Sequence, residues 1–236
     1  MQIAPARRLT FEVLRLVEAG GYAADLLFHR SPGLDSRDAA LASQITLGVL
    51  RRQNQLDFLI EHFSGCAPGR LDQAVRIALR MGIYQLRYLD RVPAHAAVVE
   101  SVEQVKYVGK RSAAGLVNAV LRKVHREPVP FPDRATELAH PAWLLERWER
   151  HYGPQAATII ALANLQPPAT YVRVPVGFDS RLVHLEPTNL PGCFRVLEGD
   201  PTGLRIQDIS SQAVVPLLEL APGQWFLDLC AAPGNK

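Results

Sequence analysis

Cysteine is scarce in this 236-residue chain: Cys66, Cys193 and Cys230 stand alone and far apart. Their spacing matches neither a disulfide framework nor a cysteine metal site, and no metal is expected. A sparse, odd count fits a reducing cytoplasm. No run of about 18 uncharged apolar residues occurs, so no membrane span is expected. The first residues, MQIAPARRLTFEVLRLVEAGG, carry charge throughout and lack the unbroken apolar core of a signal peptide. Lysine is rare, 4 residues against 22 arginines. Internal repeats, low-complexity tracts and a GxGxxG loop are all missing. The last absence argues against a dinucleotide oxidoreductase.

Charge is present but uneven. Residues 1–127 hold 18 Lys+Arg against 12 Asp+Glu, a balance of +6, while residues 128–236 hold 8 against 11, a balance of −3. A basic half rich in guanidinium groups suits phosphate, which arginine binds through two parallel hydrogen bonds. Arg51, Arg52, Lys106, Lys110, Arg111, Arg122, Lys123 and Arg126 are the candidates for an RNA-facing surface. The competing reading is solvated helix faces.

Hydrophobic spacing predicts a run of helices over residues 5–126. Pro5 suits a first helical turn, and Leu9, Val13, Leu16 and Val17 recur at helical spacing until Gly20-Gly21. Ser36 is expected to cap one long stretch with Leu41, Ile45, Val49, Leu56, Leu59 and Phe63 inside. Leu71, Val75, Leu79, Ile83 and Leu86 form the next stripe. Helices at about 95–107 and 112–125 follow, with Asn118 expected in a buried helix–helix hydrogen bond and His95 at a helix start. Residues 1–127 thus predict an all-α bundle. Three prolines in EPVPFPD, residues 127–133, mark a crossing. A small α/β domain is expected over 128–205: two helical pieces over 141–166, then strands at 170–176 and within 192–207. Trp143 and Trp148 are expected to pack between domains. Ser210 is expected to cap a helix through about Leu220, and Trp225 to Cys230 to form a strand.

That strand leads into FLDLCAAPGNK, residues 226–236. An apolar strand ending in a small-residue loop delivers backbone amides to a ligand at a sheet edge. From spacing alone the other reading is an ordinary strand–loop junction. LDLCAAPGNK resembles the DxCAAPGGK loop of the RNA cytosine-5 methyltransferases. IQDISSQ, Ile206 to Gln212, is similar to the (V/I)QDxSSQ segment of the same family. HPAWLLERWERHYG, His140 to Gly153, resembles the start of its pre-catalytic domain, and YVRV, Tyr171 to Val174, its RVN strand. LALRMGIYQLRYLDRVPAHAAVVESVEQVK and GLVNAVLRKVHR resemble the NusB-like module fused to this enzyme in the RsmB (Sun, Fmu) branch.

The resemblance implies methyl transfer from S-adenosylmethionine to C5 of a cytosine in small-subunit ribosomal RNA. It implies a cofactor loop at Cys230, Ala231, Ala232, Pro233, Gly234, Asn235 and Lys236, where Asn235 replaces the family's glycine. The resemblance implies two catalytic cysteines, one that adds to C6 and activates C5 and one that assists the later proton removal and elimination, and both are expected beyond Lys236. The expected organisation is a NusB-like RNA-binding bundle at 1–127, a linker and pre-catalytic domain at 128–205, and the first helix and strand of a truncated Rossmann-like domain at 206–236. Residues 1–236 alone are expected to be inactive and to hold the cofactor weakly. A lone strand at 225–230 would lack ladder partners and fray. The alternative is a stand-alone NusB-like module of the transcription-antitermination type.

Overall fold

A computed structural model describes residues 3–175, 183–229 and 231. The chain divides into two units, 1–166 and 167–236. The first is helical. Its bundle contains α1 (Pro5–Glu18), α2 (Ala23–Arg30), α3 (Ser36–Arg51), α4 (Gln53–Ser64), α5 (Gln73–Tyr88), α6 (Ala94–Tyr107) and α7 (Ala114–Lys123). Asp35, not Ser36, caps α3 by accepting from the Asp38 amide at 2.7 Å. The single stretch expected over 36–63 is broken at Arg52, whose backbone leaves helical geometry. Gly65, left-handed at φ 69°, ends α4. Asp72 caps α5 through the Ala74 amide at 2.9 Å.

Helix α5 is the hub. It packs against α1, α3, α4, α6 and α7, and Ile77, Leu79 and Ile83 on it are fully buried. Burial on several sides explains why its apolar residues exceed a single stripe. Two close approaches depend on glycine. A Cβ on Gly48 of α3 would fall inside the Tyr84 ring, and one on Gly82 of α5 would lie 2.6 Å from Leu121 Cδ1.

Polar groups tie the helices together. Arg7 Nε donates to Gln85 Oε1 at 2.6 Å, and its Nη1 donates to Glu100 Oε1 at 2.7 Å. The Ala4 amide donates to the other oxygen of Glu100. On another side of α5, Arg80 donates two bonds to the Asp57 carboxylate, at 2.7 and 2.8 Å, and one to Glu18 at 2.6 Å. Arg76 and Gln73 also donate to Glu18.

After the proline-rich crossing come α8 (Arg134–Glu137), α9 (Ala142–Tyr152) and α10 (Pro154–Asn164). Gly153, φ 83°, and Pro154 make the break between α9 and α10. Leu138, Leu145 and Ala161 form a small core there, with Trp148 against it.

The second unit holds a four-stranded antiparallel sheet: β1 (Tyr171–Arg173), β2 (Val183–Pro187), β3 (Cys193–Gly199) and β4 (Arg205–Ile206), in the order β2-β3-β1-β4. β2 and β3 form a hairpin. Its turn is fixed by Thr188, whose hydroxyl accepts from the Leu190 amide and donates to the Cys193 carbonyl. Val172 and Cys193 are buried on the sheet. Helix α11 (Ile209–Val214) follows, capped by Asp208 rather than Ser210 through the Ser210 amide at 2.8 Å.

No strand forms over residues 225–229. Trp225 is 100% exposed and Leu229 86%. Among the described residues the four strands pair only with one another, so this segment has no described ladder to join, and apolar content alone does not make a strand.

Candidate nucleic-acid interface and cofactor loop

The eight basic residues fall into groups at opposite ends of α5. Lys110 pairs with Asp72 at the N-cap of α5, Nζ to Oδ2 2.6 Å. Its ammonium is the main reason the Asp72 carboxyl sits below its usual range. Lys106, one turn back on α6, pairs with Glu103 at 2.7 Å. Arg111 follows Lys110, exposed and without a side-chain partner among the described residues.

At the other end, Arg126 donates to the carbonyls of Leu86 at 3.0 Å and Leu89 at 2.7 Å, and to Asp90 at 2.5 Å. Those are the orphan carbonyls of a helix C-terminus, where a cation is favoured. Arg87 answers by donating to the carbonyls of His125 and Glu127. Arg126 is therefore a clasp on α5. Arg52 lies over the Tyr88 ring, 4.4 Å from its centre, and donates to Gln55 at 3.0 Å. Burial pushes the Tyr84 hydroxyl up, and the positive charges of Arg52 and Arg51 oppose that rise. On α7, Arg122 donates to Asn118 at 3.2 Å, and Lys123 reaches the Phe63 carbonyl at 3.4 Å. The Asn118 bond thus lies within one helix; the helix–helix bond expected for it does not form. A 16-residue helix is about 24 Å long, so the eight residues do not form one contiguous patch.

Of the C-terminal loop only Ala231 is described, and it is exposed. Cys230, Ala232, Pro233, Gly234, Asn235 and Lys236 lie outside the described residues. Residues 225–229 form no strand, so the described part shows no cradle for S-adenosylmethionine. Asp208 is committed to capping α11. His95 is exposed one residue into α6. Trp148 packs beside His140, ring centres 5.3 Å apart, whereas Trp143 is 63% exposed. Among the described residues no three His, Cys, Asp or Glu side chains gather as a metal site, and no helix is long and apolar enough to cross a membrane.

Residues 4–126, more than half of the chain, match the NusB family. The chain belongs to the NusB family. The match ends at Arg126, the clasp residue. Residues 140–177 match the Methyltr_RsmF/B-like, ferredoxin-like domain. The chain is 30% identical to the "Probable ribosomal RNA small subunit methyltransferase B" of Bacillus subtilis (strain 168), over 100% of this chain and 59% of that protein. It is 32% identical to the "Ribosomal RNA small subunit methyltransferase B" of Erwinia tasmaniensis, over 94% of this chain and 57% of the relative. It thus spans less than two thirds of these relatives. The crystal structure of PH0851 shares the fold, with a TM-score of 0.61 at 17% identity over 95% of this chain and 57% of that one.

The NusB-family bundle also holds a feature that hydrophobic periodicity does not reveal. A cavity of about 510 Å³ is lined by Phe11, Glu12, Arg15, Leu16, Ala19, Arg30, Gln73, Gln104, Tyr107 and Val108. Gln104 is only 2% exposed, and neither Oε1 nor Nε2 of its amide has a partner. The available sequence signal was a glutamine directly before Val105, inside the apolar stripe of α6.

Proposed function

We propose that this chain is part of an S-adenosylmethionine-dependent enzyme that makes 5-methylcytosine in small-subunit ribosomal RNA. Its NusB-family bundle holds the RNA. The observation that carries this reading is the 30% identity to a ribosomal RNA small subunit methyltransferase B along the whole of this chain. The match of residues 140–177 to a methyltransferase-associated domain favours it over a stand-alone NusB-like module. The cytosine-5 chemistry and the cofactor loop at residues 230–236 rest on the CAAPG and QDISSQ motifs. The cytoplasm is the proposed compartment.

Within residues 1–236 we assign no nucleophile. Cys193 is buried in β3, and the Cys66 thiol lies against the Ala67 carbonyl at 3.7 Å. Cys230 belongs to the proposed cofactor loop. The purified chain, given labelled S-adenosylmethionine and unmethylated small-subunit RNA, should therefore incorporate no methyl. Stoichiometric labelling would overturn that assignment. Titration calorimetry should likewise show cofactor binding weaker than micromolar.

RNA binding should be salt-dependent, log affinity falling linearly with log salt. The residues to reverse are Arg111, Arg122 and Lys123, which do not clasp α5. Replacing all three with Glu should lower affinity about tenfold or more and flatten the salt slope by about three. Arg126 must be spared, because its loss opens the end of α5 and would mimic a binding defect. An unchanged affinity in the triple variant would mean that these residues only solvate the helix surfaces on which they lie.

A further inference from the structure

We propose that the open side of α9 is a second RNA contact: a platform on which Trp143 and Tyr152 each stack a base of a single strand while Arg147 and Arg150 meet its phosphates. This rests on the RNA-binding reading above and adds a site outside the NusB-family bundle.

Helix α9 is anchored on one side only. Leu145 is buried in the small core with Leu138 and Ala161, and Glu149 pairs with Arg134. Arg134 in turn donates to the Thr158 hydroxyl of α10 at 2.6 Å. On the other side, a groove of about 440 Å³ is lined by Trp143, Leu144, Arg147, Trp148, His151 and Tyr152. These six form two adjacent rows at a spacing of four residues, so they share one face of the helix. All six belong to α9, so among the described residues no other element walls the groove.

A solvated helix face is ordinarily polar. This one carries Trp143 and Tyr152, each 63% exposed. A single exposed ring needs no explanation. Two rings on one face with a guanidinium between them have the makeup of a single-strand surface, where bases stack on rings and cations follow the backbone. The rings stand about 14 Å apart along the helix axis, with Arg147 midway. Trp148 is already occupied, packed beside His140 and against the small core. Arg147 and Arg150 are exposed and have no side-chain partner among the described residues. Arg150 follows Trp143 by two helical turns and so lies on its side. Glu146 lies on the flank toward Glu149, away from the groove. Charge decides between occupants. An apolar protein surface would cover the rings but strand the guanidinium groups, whereas a phosphate backbone neutralises them.

The test uses the 236-residue chain carrying Trp148→Phe and Trp225→Phe, which leaves Trp143 as its one tryptophan. An RNA of roughly eight nucleotides, a length in the range such sites cover, is added as a single strand and as the duplex of the same sequence. The single strand should quench Trp143 fluorescence. The duplex, whose bases are already stacked on one another, should not. In the otherwise unchanged chain, Trp143→Ala and Tyr152→Ala should each weaken single-strand binding about tenfold and leave the salt slope unchanged. Trp143→Phe keeps a ring and should retain most of the affinity. Arg147→Ala should reduce the salt slope by about 0.7, the share of one phosphate on a single strand. These positions are exposed, so each variant should melt with the parent. RNA binding without quenching, and without loss in the Trp143 and Tyr152 variants, overturns the platform while leaving binding by the bundle intact. A Trp143 emission that ignores RNA but shifts to the blue with protein concentration assigns the face to a second copy, and overturns it equally. No binding of any RNA overturns both readings.

Discussion

Gly48→Ala should destabilise the first unit by about 2 kcal/mol or more, although alanine is the better helix former. Adding one methyl group to an exposed helical glycine normally gains up to about 1 kcal/mol. At Gly48 the new Cβ would occupy the place of the Tyr84 ring, which is held between α3 and α5. The helices must separate or the ring must leave its position, and overpacking of this kind costs about 1–3 kcal/mol, occasionally more. Gly115, on the exposed face of α7, has nothing within 4 Å of its Cβ position. Gly115→Ala should therefore raise stability by a few tenths of a kcal/mol up to about 1. Thermal or urea unfolding of the pair checks both signs. Adding Tyr84→Leu to Gly48→Ala should recover part of the loss, because the two changes share one contact. If Gly48→Ala unfolds like the parent protein, α3 and α5 do not approach closely there.

Arg80→Met should cost about 3 kcal/mol, in the range seen when one partner of a buried ion pair is removed. Arg80 is almost fully buried, and its loss strands the carboxylates of Asp57 and Glu18. Those carboxylates are partly open to water, which places the loss at the lower end of that range. Acid should reveal the same network. Burial of Glu18 raises its pKa, but hydrogen bonds from Gln73 and Arg76 and the charges of Arg76 and Arg80 outweigh this and leave it below the usual 4.5. A depressed carboxyl contributes stability that is fully present above pH 4.5 and lost as pH falls through the folded value. The gap between wild type and Arg80→Met should thus narrow below about pH 4. A gap that stays constant down to pH 2 would remove Glu18 from the account.

Much of the bundle was legible in the sequence because helical periodicity reports burial. Ile45, Val49, Leu56, Leu59, Val75, Leu79 and Ile83 were read as core and are buried. Helix α2 escaped because Leu27 is its one buried residue, which leaves no stripe to detect. The break at Arg52 escaped because an arginine packed on Tyr88 is a tertiary event with no local signature. Strand β2, VHLEP, was assigned to no element from the sequence, and pairing with β3 makes it a strand. Motif residues gave the family: the NusB and ferredoxin-like-domain matches cover residues 4–126 and 140–177, where the helical, HPAW and YVRV segments lie, while the QDISSQ and CAAPG segments lie outside both. The site was less legible. Basic residues that look equivalent in sequence differ in role: Arg126 clasps a helix end while Arg111 is free. The unpaired amide of Gln104 becomes visible only when α1 and α6 are brought together.

The bonds made by Arg7 set a timetable for synthesis. Its partners Gln85 and Glu100 lie 78 and 93 residues downstream. At ribosomal speeds about 5–20 s separate the appearance of Arg7 from that of Glu100. Until Gln85 is made, α1 is an amphipathic segment whose guanidinium has neither acceptor and whose apolar side has no complete α5 to cover it. Closing such long loops is entropically costly and slow. Helix α1 can therefore pack on α3 early, but its guanidinium is secured only when α5 and α6 have been made.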